Sequence, residues 1–393
     1  MSNVKNLDAA YVAGTYARFP VEIVSGKGSR VTDVNGKSYV DMGSGIGVTA
    51  FGFGDEEWIA ATSAQLATLQ HTSNLYYTEP CAKLAKVLCE KTGMKKVFFG
   101  NSGAEANECA IKVARKYSAE KKGADCYTIV TLWSSFHGRT LTTLAATGQD
   151  HFHTLFQPLT PGFVHVPAND IAALEKVVEE YKVAGIMMEV IQGEGGVNAL
   201  SQEYLMAADK LCHDKDIPFI IDEVQTGNGR TGKLYGYMNF KISPDIVSTA
   251  KGLGGGLPIG ACMMNEKMES VLGFGDHGST YGGNPVCCAG ALSVIERLDD
   301  SFLGSVKRRS GYIMSALYNA PGIQGVSGMG LMIGIKTTAP AGAVVTECMN
   351  RGVLCLTAKD KVRLLPALNI PMDDLEFAIE TIKTVAKELG GNV

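Results

Sequence analysis

The chain has 393 residues, of which 46% are hydrophobic and 19% are charged, and its formal net charge is −4. This length suggests two or three domains, and the composition is that of a globular protein rather than a disordered or coiled-coil chain. The slightly negative charge, without a basic face, argues against a nucleic-acid-binding protein.

The termini, cysteines and histidines argue against several further classes. Residues 1–8 lack the apolar core of a signal peptide, and no stretch approaches the roughly 20 apolar residues of a membrane span. The ten cysteines form no C-x-x-C pair, which predicts reduced thiols in a cytoplasmic protein. His151 and His153 could ligate a metal, but two histidines alone are weak evidence, so we expect no metal.

Short apolar runs alternate with helical patterns through the middle of the chain. The apolar runs cover 97–99, 186–188, 218–221 and 246–248, and helical patterns cover 106–120 and 171–183. Because this alternation is typical of a parallel sheet with helices on both faces, the sequence predicts an α/β fold. A last amphipathic helix is expected over 372–389, with Gly390 and Gly391 ending it.

The pattern of elements divides the chain into three parts. We expect an N-terminal segment over residues 1–50 that packs with the small domain, and a large domain over 51–290. The smaller C-terminal domain, of the α+β type, is expected over 291–393. No internal repeat suggests a solenoid.

Four of the predicted strands end in a glycine loop or a polar side chain. The first runs into residues 100–105, and the others end at Glu189, Asp222 and Lys251. Open α/β sheets bind ligands at the carboxyl ends of their strands, so these groups are expected to meet at one rim.

The chemistry of this rim favours pyridoxal 5′-phosphate (PLP). Ser102 and Glu105 have the spacing of a capping box, and a helix N-terminus beside a glycine can bind phosphate, although an ordinary capped helix shows the same pattern. An acid at a strand end can keep a pyridine nitrogen protonated, and a lysine can form an imine with an aldehyde. Asp222 and Lys251 together meet both requirements of the cofactor.

A second glycine motif suggests a different cofactor. Residues 45–50 match G-x-G-x-x-A after a strand-like stretch, as in dinucleotide-binding proteins. Such a site also needs an acidic residue about 20 positions further on, at the end of a second strand. Residues 59–77 contain no acidic residue, so the motif does not favour a nicotinamide cofactor.

Five segments occur together in the order of a known family. They are NSGAEANE at 101–108, FHGR at 136–139, DEVQTG at 222–227, AKGLGGG at 250–256 and HGSTYGGNP at 277–285. This combination resembles the class III, or ω-amino, aminotransferases of PLP fold type I, and the likeness covers nearly the whole chain. Segments at 18–21, 44–48, 71–77 and 362–366 are most similar to the branch of that class that acts on acetylornithine.

The resemblance implies a cofactor site in a large domain with a mostly parallel central sheet. Lys251 would hold PLP as a Schiff base and carry a proton between substrate and cofactor, and Asp222 would pair with the pyridine nitrogen. The remaining contacts would be Gln225 at the phenolic oxygen, Phe136 on the ring face, Ser102, Gly103 and Ala104 at the phosphate, and Thr280 at the phosphate of the partner subunit. The active unit would therefore be a homodimer with shared sites.

The resemblance also implies substrate-binding residues. Arg139 and Ser279 would bind the acylated ornithine, and Arg363 would bind the α-carboxylate of 2-oxoglutarate or glutamate. Arg363 would face no carboxylate while acetylornithine reacts, and an unpaired buried charge is costly. We expect Glu189 to pair with Arg363 in that half-reaction and then move away, the alternative being a fixed carboxylate that caps the following glycine turn.

The activity implied is transfer of the terminal amino group of N2-acetylornithine to 2-oxoglutarate by a ping-pong mechanism, a step of arginine biosynthesis. Succinylornithine, ornithine and succinyl-diaminopimelate are alternative substrates, since Arg139 would serve each. A PLP aminomutase of the glutamate-semialdehyde type is a more remote alternative. A non-enzymatic PLP-binding regulator would need a DNA-binding domain, for which the chain has no room.

Three departures from the family pattern leave the finer substrate preference open. Val190 stands where proline is usual, residues 51–55 replace a Gly-His-x-His-Pro turn, and Asn228 stands where an apolar residue is common. None of them removes an expected catalytic group.

Overall fold

The computed structural model describes residues 4–390. Its strands are β1 Ile23–Lys27, β2 Arg30–Asp33, β3 Ser38–Asp41, β4 Lys96–Gly100, β5 Thr128–Leu132, β6 Phe163–Val166, β7 Val183–Met188, β8 Ile191–Gln192, β9 Asn198–Ala199, β10 Phe219–Asp222, β11 Ile246–Thr249, β12 Gly260–Met264, β13 Ile323–Met329, β14 Met332–Thr337, β15 Val353–Leu354, β16 Leu356–Ala358 and β17 Lys361–Leu364. Its helices are α1 Val4–Tyr11, α2 Ser44–Gly47, α3 Glu56–Thr68, α4 Glu79–Thr92, α5 Gly103–Lys122, α6 Leu141–Ala146, α7 Asp150–His153, α8 Ile171–Glu180, α9 Gln202–Asp214, α10 Pro285–Ile295, α11 Asp300–Leu317, α12 Ala341–Asn350 and α13 Met372–Gly390, with 3-10 helices at Gly236–Asn239 and Lys251–Leu253.

A seven-stranded sheet forms the centre of the molecule, in the order β4-β12-β11-β10-β7-β5-β6. Strand β12 runs antiparallel to both of its neighbours, and the other strands are parallel to one another. Every residue of β7, β10 and β11 is buried, because helices cover both faces of the sheet. The predicted α/β fold with a mostly parallel central sheet is confirmed.

Helix α5 covers one face of the central sheet and packs on β7, β11 and β12. Its buried side includes the apolar stripe expected from the sequence, Ala106, Ala110, Val113, Ala114 and Tyr117. The expected helix over 171–183 is shorter in the structure: α8 ends at Glu180, and Val183 already begins β7. An apolar residue at helical spacing can equally start a buried strand, and here Val183 packs inside the sheet.

Two smaller sheets lie outside the central one. One has the order β1-β2-β3-β15, in which the C-terminal strand β15 pairs in parallel with β3 of the N-terminal segment. The other has the order β13-β14-β17-β16 and is antiparallel throughout. Helix α10 spans residue 290, where a domain boundary is expected, and packs on α3 and α4. The division at residues 50 and 290 stays a prediction.

The final helix extends slightly further than expected. Residue Gly390 is still helical in α13, and Gly391 lies outside the described residues. Within residues 4–390, no helix is both long enough and apolar enough to cross a membrane.

The turn at Ser44–Gly47 is left-handed along its whole length. All four residues have positive φ, including Ser44 at 42° and the β-branched Ile46 at 64°. Such a conformation is costly for residues with a side chain, and it persists only where the surroundings hold it. The Ser44 hydroxyl donates to the Leu365 carbonyl oxygen at 2.5 Å and thereby ties the turn to the end of β17. The turn leads directly to Val48, which lines the cavity described next.

Candidate active site

A cavity of about 470 Å³ opens at the carboxyl ends of the central strands. The four strand ends expected to meet there do so, because Asn101, Glu189, Asp222 and Lys251 all line it. The other lining residues are Val48, Ser102, Gly103, Ala104, Asn107, Phe136, His137, Gly138, Arg139, Val224, Gln225, Ala250, Gly256, Leu257, Pro258 and Ile259.

The N-terminus of α5 forms one end of the cavity. The Ser102 hydroxyl accepts from the Glu105 N–H at 3.2 Å, as a capping residue does. The Glu105 carboxylate accepts from the Asn101 N–H at 2.6 Å. In a capping box this reciprocal bond would come from the N–H of Ser102, so here it reaches the residue before the cap. The N–H groups of Gly103 and Ala104 lie in the first helical turn, where no intrahelical acceptor exists, and both residues face the cavity. This end can therefore bind an anion.

Gly103 also allows a close approach between α5 and Val224 at this point. A Cβ on Gly103 would lie 2.6 Å from Cγ1 of Val224, which is too close for two carbon atoms. Glycine therefore lets the helix start pack against Val224, and Val224 lines the cavity together with Phe136.

Asp222 is buried at the end of β10 and accepts three hydrogen bonds. Its Oδ2 accepts from Asn107 Nδ2 and from His137 Nδ1, each at 2.8 Å, and its Oδ1 accepts from the Val224 N–H at 3.0 Å. These bonds hold the carboxylate in one orientation at the cavity wall. Asn107 and His137 were not singled out from the sequence, although both lie inside the motifs at 101–108 and 136–139.

Lys251 follows β11 and starts a 3-10 helix with a strained φ of 46°. Asn228 supports this backbone, since its Nδ2 donates to the Ala250 carbonyl at 2.9 Å and to Thr249 Oγ1 at 3.0 Å. Asn228 itself has a φ of 55°, a conformation that asparagine tolerates better than most residues. Burial lowers the pKa of the Lys251 ammonium, which makes its amine more available for nucleophilic and base chemistry.

Arg139 lies at the mouth of the cavity, beside two aromatic rings. The centre of its guanidinium is 4.0 Å from the ring centroid of Phe152 and 5.5 Å from that of Phe136. Cation–π contacts of this kind orient an arginine without neutralising it. Phe152, on α7, was not predicted as a site residue, because nothing in its sequence context reveals that α7 folds over Arg139.

Arg363 lies on β17, beside the cavity, and its side chain is 4% exposed. Its Nη1 donates to Glu194 Oε1 at 2.5 Å and to Gln225 Oε1 at 3.2 Å. Burial alone would raise the pKa of Glu194, but the charge and hydrogen bond of Arg363 hold that pKa below its ordinary value. The Arg363 Nε is buried and has no hydrogen-bond partner among residues 4–390, so this guanidinium has a donor to spare.

The structure does not show the expected pairing of Glu189 with Arg363, because Glu194 occupies that position. The two oxygens of Glu189 accept from the N–H groups of Phe136 and Gly193, each at 3.0 Å. Glu189 therefore caps the glycine turn that follows it, which was the alternative interpretation. Burial raises its pKa to about 7. Glu194 lies five residues further on, at the tip of the hairpin formed by β8 and β9.

Ser279 and Thr280 lie outside the cavity in the single chain. The Ser279 hydroxyl accepts from Asn101 Nδ2 at 3.1 Å and from the Gly282 N–H at 3.0 Å, so it contacts the cavity lining from outside. Thr280 is exposed to solvent.

Of the two histidines weighed as metal ligands, His153 contacts backbone carbonyl oxygens. His153 Nε2 lies 2.9 Å from the Leu144 carbonyl oxygen and 2.8 Å from that of Thr147. Within residues 4–390, no group of three metal-ligating side chains is assembled.

The unusual turn at 51–55 is stabilised by its last residue. The Asp55 carboxylate accepts from the Trp58 N–H at 2.9 Å and caps α3. It also binds Arg297 through both oxygens, at 2.8 and 2.9 Å. This arrangement serves the fold, since neither Asp55 nor Arg297 lines the main cavity.

Comparison with known proteins gives consistent results along the chain. A family model described as aminotransferase class-III matches residues 11–386. The chain is 50% identical to the acetylornithine aminotransferase of Haemophilus ducreyi, over 98% of this chain and 99% of that protein. It is 42% identical to the acetylornithine aminotransferase of Methanocaldococcus jannaschii, over 98% of each.

Solved structures share the fold over almost the same length. The ornithine aminotransferase of Toxoplasma gondii superposes with a TM-score of 0.93 at 32% identity, covering 98% of this chain and 94% of that one. The N-acetylornithine aminotransferase of Stenotrophomonas maltophilia superposes with a TM-score of 0.84, also at 32% identity, covering 97% of each chain.

Proposed function

Because this chain belongs to the class-III aminotransferases, we propose that it transfers the terminal amino group of N2-acetyl-L-ornithine to 2-oxoglutarate with PLP as cofactor. The products are N-acetyl-L-glutamate 5-semialdehyde and L-glutamate, formed in two half-reactions, and the reaction serves arginine biosynthesis. The observation that carries this proposal is the Arg363–Glu194 pair, which lies beside a cavity lined by Lys251 and Arg139. The likeness to enzymes named acetylornithine aminotransferase supports the choice of amino donor.

The groups that line the cavity fit PLP. The N–H groups of Gly103 and Ala104 suit a phosphate, and the Asp222 carboxylate suits a protonated pyridine nitrogen. Phe136 and Val224 line the space as apolar walls for a ring. When bound, PLP supplies an aldehyde that takes up the amine and a ring that withdraws electrons. A solved form of the Toxoplasma gondii relative holds PLP at its active site, in partial occupancy.

Lys251 is the residue that we propose holds the cofactor and moves the proton. Its place at the end of β11 brings its amine to the rim where Asp222 also lies. Because burial lowers the pKa of its ammonium, Nζ can give up and recover a proton more readily than a solvated lysine.

Asp222 acts on the ring nitrogen, and its neighbours keep it in place. The bonds from Asn107 and His137 fix Oδ2, so the carboxylate does not need to reorganise when the ring binds. We infer that Asn107 and His137 are positioning residues for Asp222.

Gln225 stands between the cofactor and the carboxylate-binding arginine. It lines the cavity, its Oε1 accepts from Arg363, and its Nε2 lies 3.4 Å from Glu194 Oε1. We propose that the Gln225 amide also reaches the phenolic oxygen of the ring, which would link cofactor binding to the arginine.

The pair of Arg363 and Glu194 lets one site accept two different substrates. While the terminal amine of acetylornithine reacts, no carboxylate adjoins the reacting carbon, and Glu194 neutralises Arg363. When 2-oxoglutarate or glutamate binds, its α-carboxylate takes Arg363 and uses the free Nε, so Glu194 has to withdraw.

Arg139 is proposed to bind the α-carboxylate of the acylated ornithine, at the distal end of the substrate. Its guanidinium lines the same cavity as Lys251 but has no carboxylate partner among the described residues, so its charge is available to a ligand. Phe152 and Phe136 hold it in place without occupying its donors.

We also propose a homodimer in which Thr280 reaches the phosphate of the partner's cofactor and Ser279 contacts the substrate. Asn74 donates to the carbonyl oxygens of Ser279 and Gly282, at 3.1 and 2.8 Å, so the segment around Asn74 adjoins Ser279 and Thr280. That segment continues into three exposed apolar side chains, Leu75, Tyr76 and Tyr77. Exposed apolar side chains beside an active site suit an interface with a second copy.

The three-part division of the chain and a cytoplasmic location complete the proposal. Pairing of β15 with β3 supports an N-terminal segment that packs with the small domain. Bacterial relatives and free cysteines, as far as residues 4–390 show, support the location.

The substrate is tested by steady-state kinetics with 2-oxoglutarate and one amine at a time. Acetylornithine should have the highest kcat/KM, ahead of succinylornithine, ornithine and succinyl-diaminopimelate. A higher kcat/KM for any of these three would reassign the donor. Conversion of glutamate 1-semialdehyde without added keto acid would instead indicate an aminomutase.

A further inference from the structure

The hairpin that carries Glu194 is attached to the molecule from two sides. Strands β8 and β9 pair through Ile191 with Ala199 and Gln192 with Asn198, and the loop between them includes Glu194. On the side of the central sheet, Gly193 N–H donates to Glu189, and Gln192 Nε2 donates to the Trp133 carbonyl at 2.8 Å.

On the other side, Lys361 holds the hairpin at the start of β9. Its ammonium donates to Asn198 Oδ1 at 3.0 Å and to Ser327 Oγ at 2.8 Å. The Ser327 hydroxyl in turn donates to the Val197 carbonyl at 2.8 Å. Lys361 therefore binds β9 directly and, through Ser327, the loop residue next to it.

Lys361 and Arg363 are alternate residues of β17, so they project from the same face of the strand. One strand thus presents two cations to one hairpin, with Arg363 bound to Glu194 at the tip and Lys361 bound to Asn198 at the start of β9. The spacing of the two cations on β17 is fixed, and it sets where the tip of the hairpin lies relative to Arg363.

The partners of Lys361 are uncharged. Among residues 4–390, both oxygens that accept from its ammonium belong to neutral side chains, Asn198 and Ser327. Ordering a lysine costs side-chain entropy, and burial lowers the pKa of the Lys361 ammonium. No ion pair with a residue in 4–390 offsets these costs. The contact is better explained by what it holds than by charge neutralisation.

We propose that Lys361, acting with Ser327, is a positioning residue that clasps the β8–β9 hairpin to β17 and keeps Glu194 within reach of Arg363. The inference rests on the proposed role of Glu194 as the carboxylate that a dicarboxylate substrate displaces. A clasped hairpin resists this displacement, and an unclasped one yields more easily. The clasp therefore sets how readily the site changes from acetylornithine to 2-oxoglutarate.

The test compares Lys361→Met with Lys336→Met in the PLP-loaded protein. Lys336 is a matched control, because it lies opposite Lys361 on the neighbouring strand β14 and pairs with Asp360 at the surface.

The probe is glutarate, a dicarboxylate with neither an amino nor a keto group, titrated by calorimetry. Lys361→Met should bind glutarate about three- to tenfold more tightly, toward the lower end of the range for coupled neighbours, with Lys336→Met and Lys361→Arg close to wild type. Unchanged or weaker binding in Lys361→Met overturns the clasp.

A double-mutant cycle separates the clasp from the proposed function. In a Glu194→Gln background, Lys361→Met should no longer change glutarate affinity, since the clasp acts through Glu194. An equal shift in both backgrounds overturns the clasp while leaving the role of Glu194 intact. If Glu194→Gln itself leaves glutarate affinity unchanged, the proposal that a substrate carboxylate displaces Glu194 is wrong instead. Should Lys361→Met not fold, Ser327→Ala removes the bond to Val197 and should shift glutarate affinity in the same direction.

Discussion

Arg363 Nη1 and Glu194 Oε1 lie 2.5 Å apart, while Arg363 Nε is buried without a partner in residues 4–390. The guanidinium is thus neutralised by a residue at the tip of a hairpin with two-residue strands, and it keeps a donor for a second carboxylate. A site that binds a carboxylate at the reacting carbon in one half-reaction, and none in the other, needs both of these features.

Glu194→Gln is expected to affect the two half-reactions differently. Without the carboxylate, Arg363 is left charged and unpaired while acetylornithine reacts, so that half-reaction should slow by about tenfold, the equivalent of one charge-assisted hydrogen bond. The glutamate half-reaction should be unchanged or faster, because glutamate no longer competes with Glu194. Single-turnover absorbance of the cofactor measures each half separately.

Glu189→Gln is the matched comparison. Glu189 binds the N–H groups of Phe136 and Gly193, so its loss should slow both half-reactions by a similar factor. If Glu189→Gln slows only one half-reaction, or if Glu194→Gln slows both equally, Glu194 is not the carboxylate that the substrate displaces. The role would then be assigned to Glu189, as the sequence suggested.

The choice between these two glutamates shows where sequence reasoning reached its limit. The end of a buried strand can be read from the apolar run before it, and Glu189, Asp222 and Lys251 do meet at one rim as expected. Glu194 belongs to a glycine-rich loop, whose path depends on packing against distant segments. A Cβ on Gly195 would lie 2.3 Å from the Ser134 carbonyl oxygen, a contact that no local pattern predicts.

The supports of the site were also beyond the sequence. Asn107 is separated by 115 residues from Asp222, and only the stacking of α5 on the central sheet brings them to 2.8 Å. Lys361 meets Asn198 across 163 residues because β13, which lies in the same sheet as β17, packs on β9. Residues that bond to a ligand share a chemistry that can be recognised, whereas residues that hold them in place are defined by the tertiary fold.

Lys251→Ala should abolish transamination while PLP still binds, because the phosphate and ring contacts come from other residues. Borohydride treatment of the loaded wild-type protein, followed by peptide mapping, identifies the lysine that carries the cofactor. The label should be confined to the peptide with Lys251. A label on Lys361 or any other lysine would refute the assignment.

Arg139→Lys should raise the KM for acetylornithine by about tenfold, since lysine cannot form the paired hydrogen bonds of a guanidinium with a carboxylate. Phe152→Leu should act in the same direction by about two- to fivefold, the effect of one exposed cation–π contact. Because Arg363 still holds the α-carboxylate of 2-oxoglutarate, only the contact of its γ-carboxylate with Arg139 is weakened, and the KM for 2-oxoglutarate should rise less than that for acetylornithine. An equal rise in both KM values would mean that α7 supports the cavity as a whole.

Diluting the loaded protein should release cofactor as subunits separate, if Thr280 serves the phosphate of the partner. Sedimentation at falling concentration, read with cofactor absorbance, follows both events together. Thr280→Val should weaken PLP binding without changing the sedimentation of the dimer. A fully loaded and active monomer would contradict the shared site.

The origin of the transferred nitrogen is the most direct test of the proposed reaction. Acetylornithine carrying ¹⁵N only at its terminal amine is incubated with 2-oxoglutarate and the protein, and the glutamate formed is analysed by mass spectrometry. We predict that the glutamate carries the label in full, that acetylornithine labelled only at its acylated nitrogen yields none, and that Lys251→Ala forms no labelled glutamate. Unlabelled glutamate from the terminally labelled substrate, or undiminished labelling with Lys251→Ala, would contradict the account.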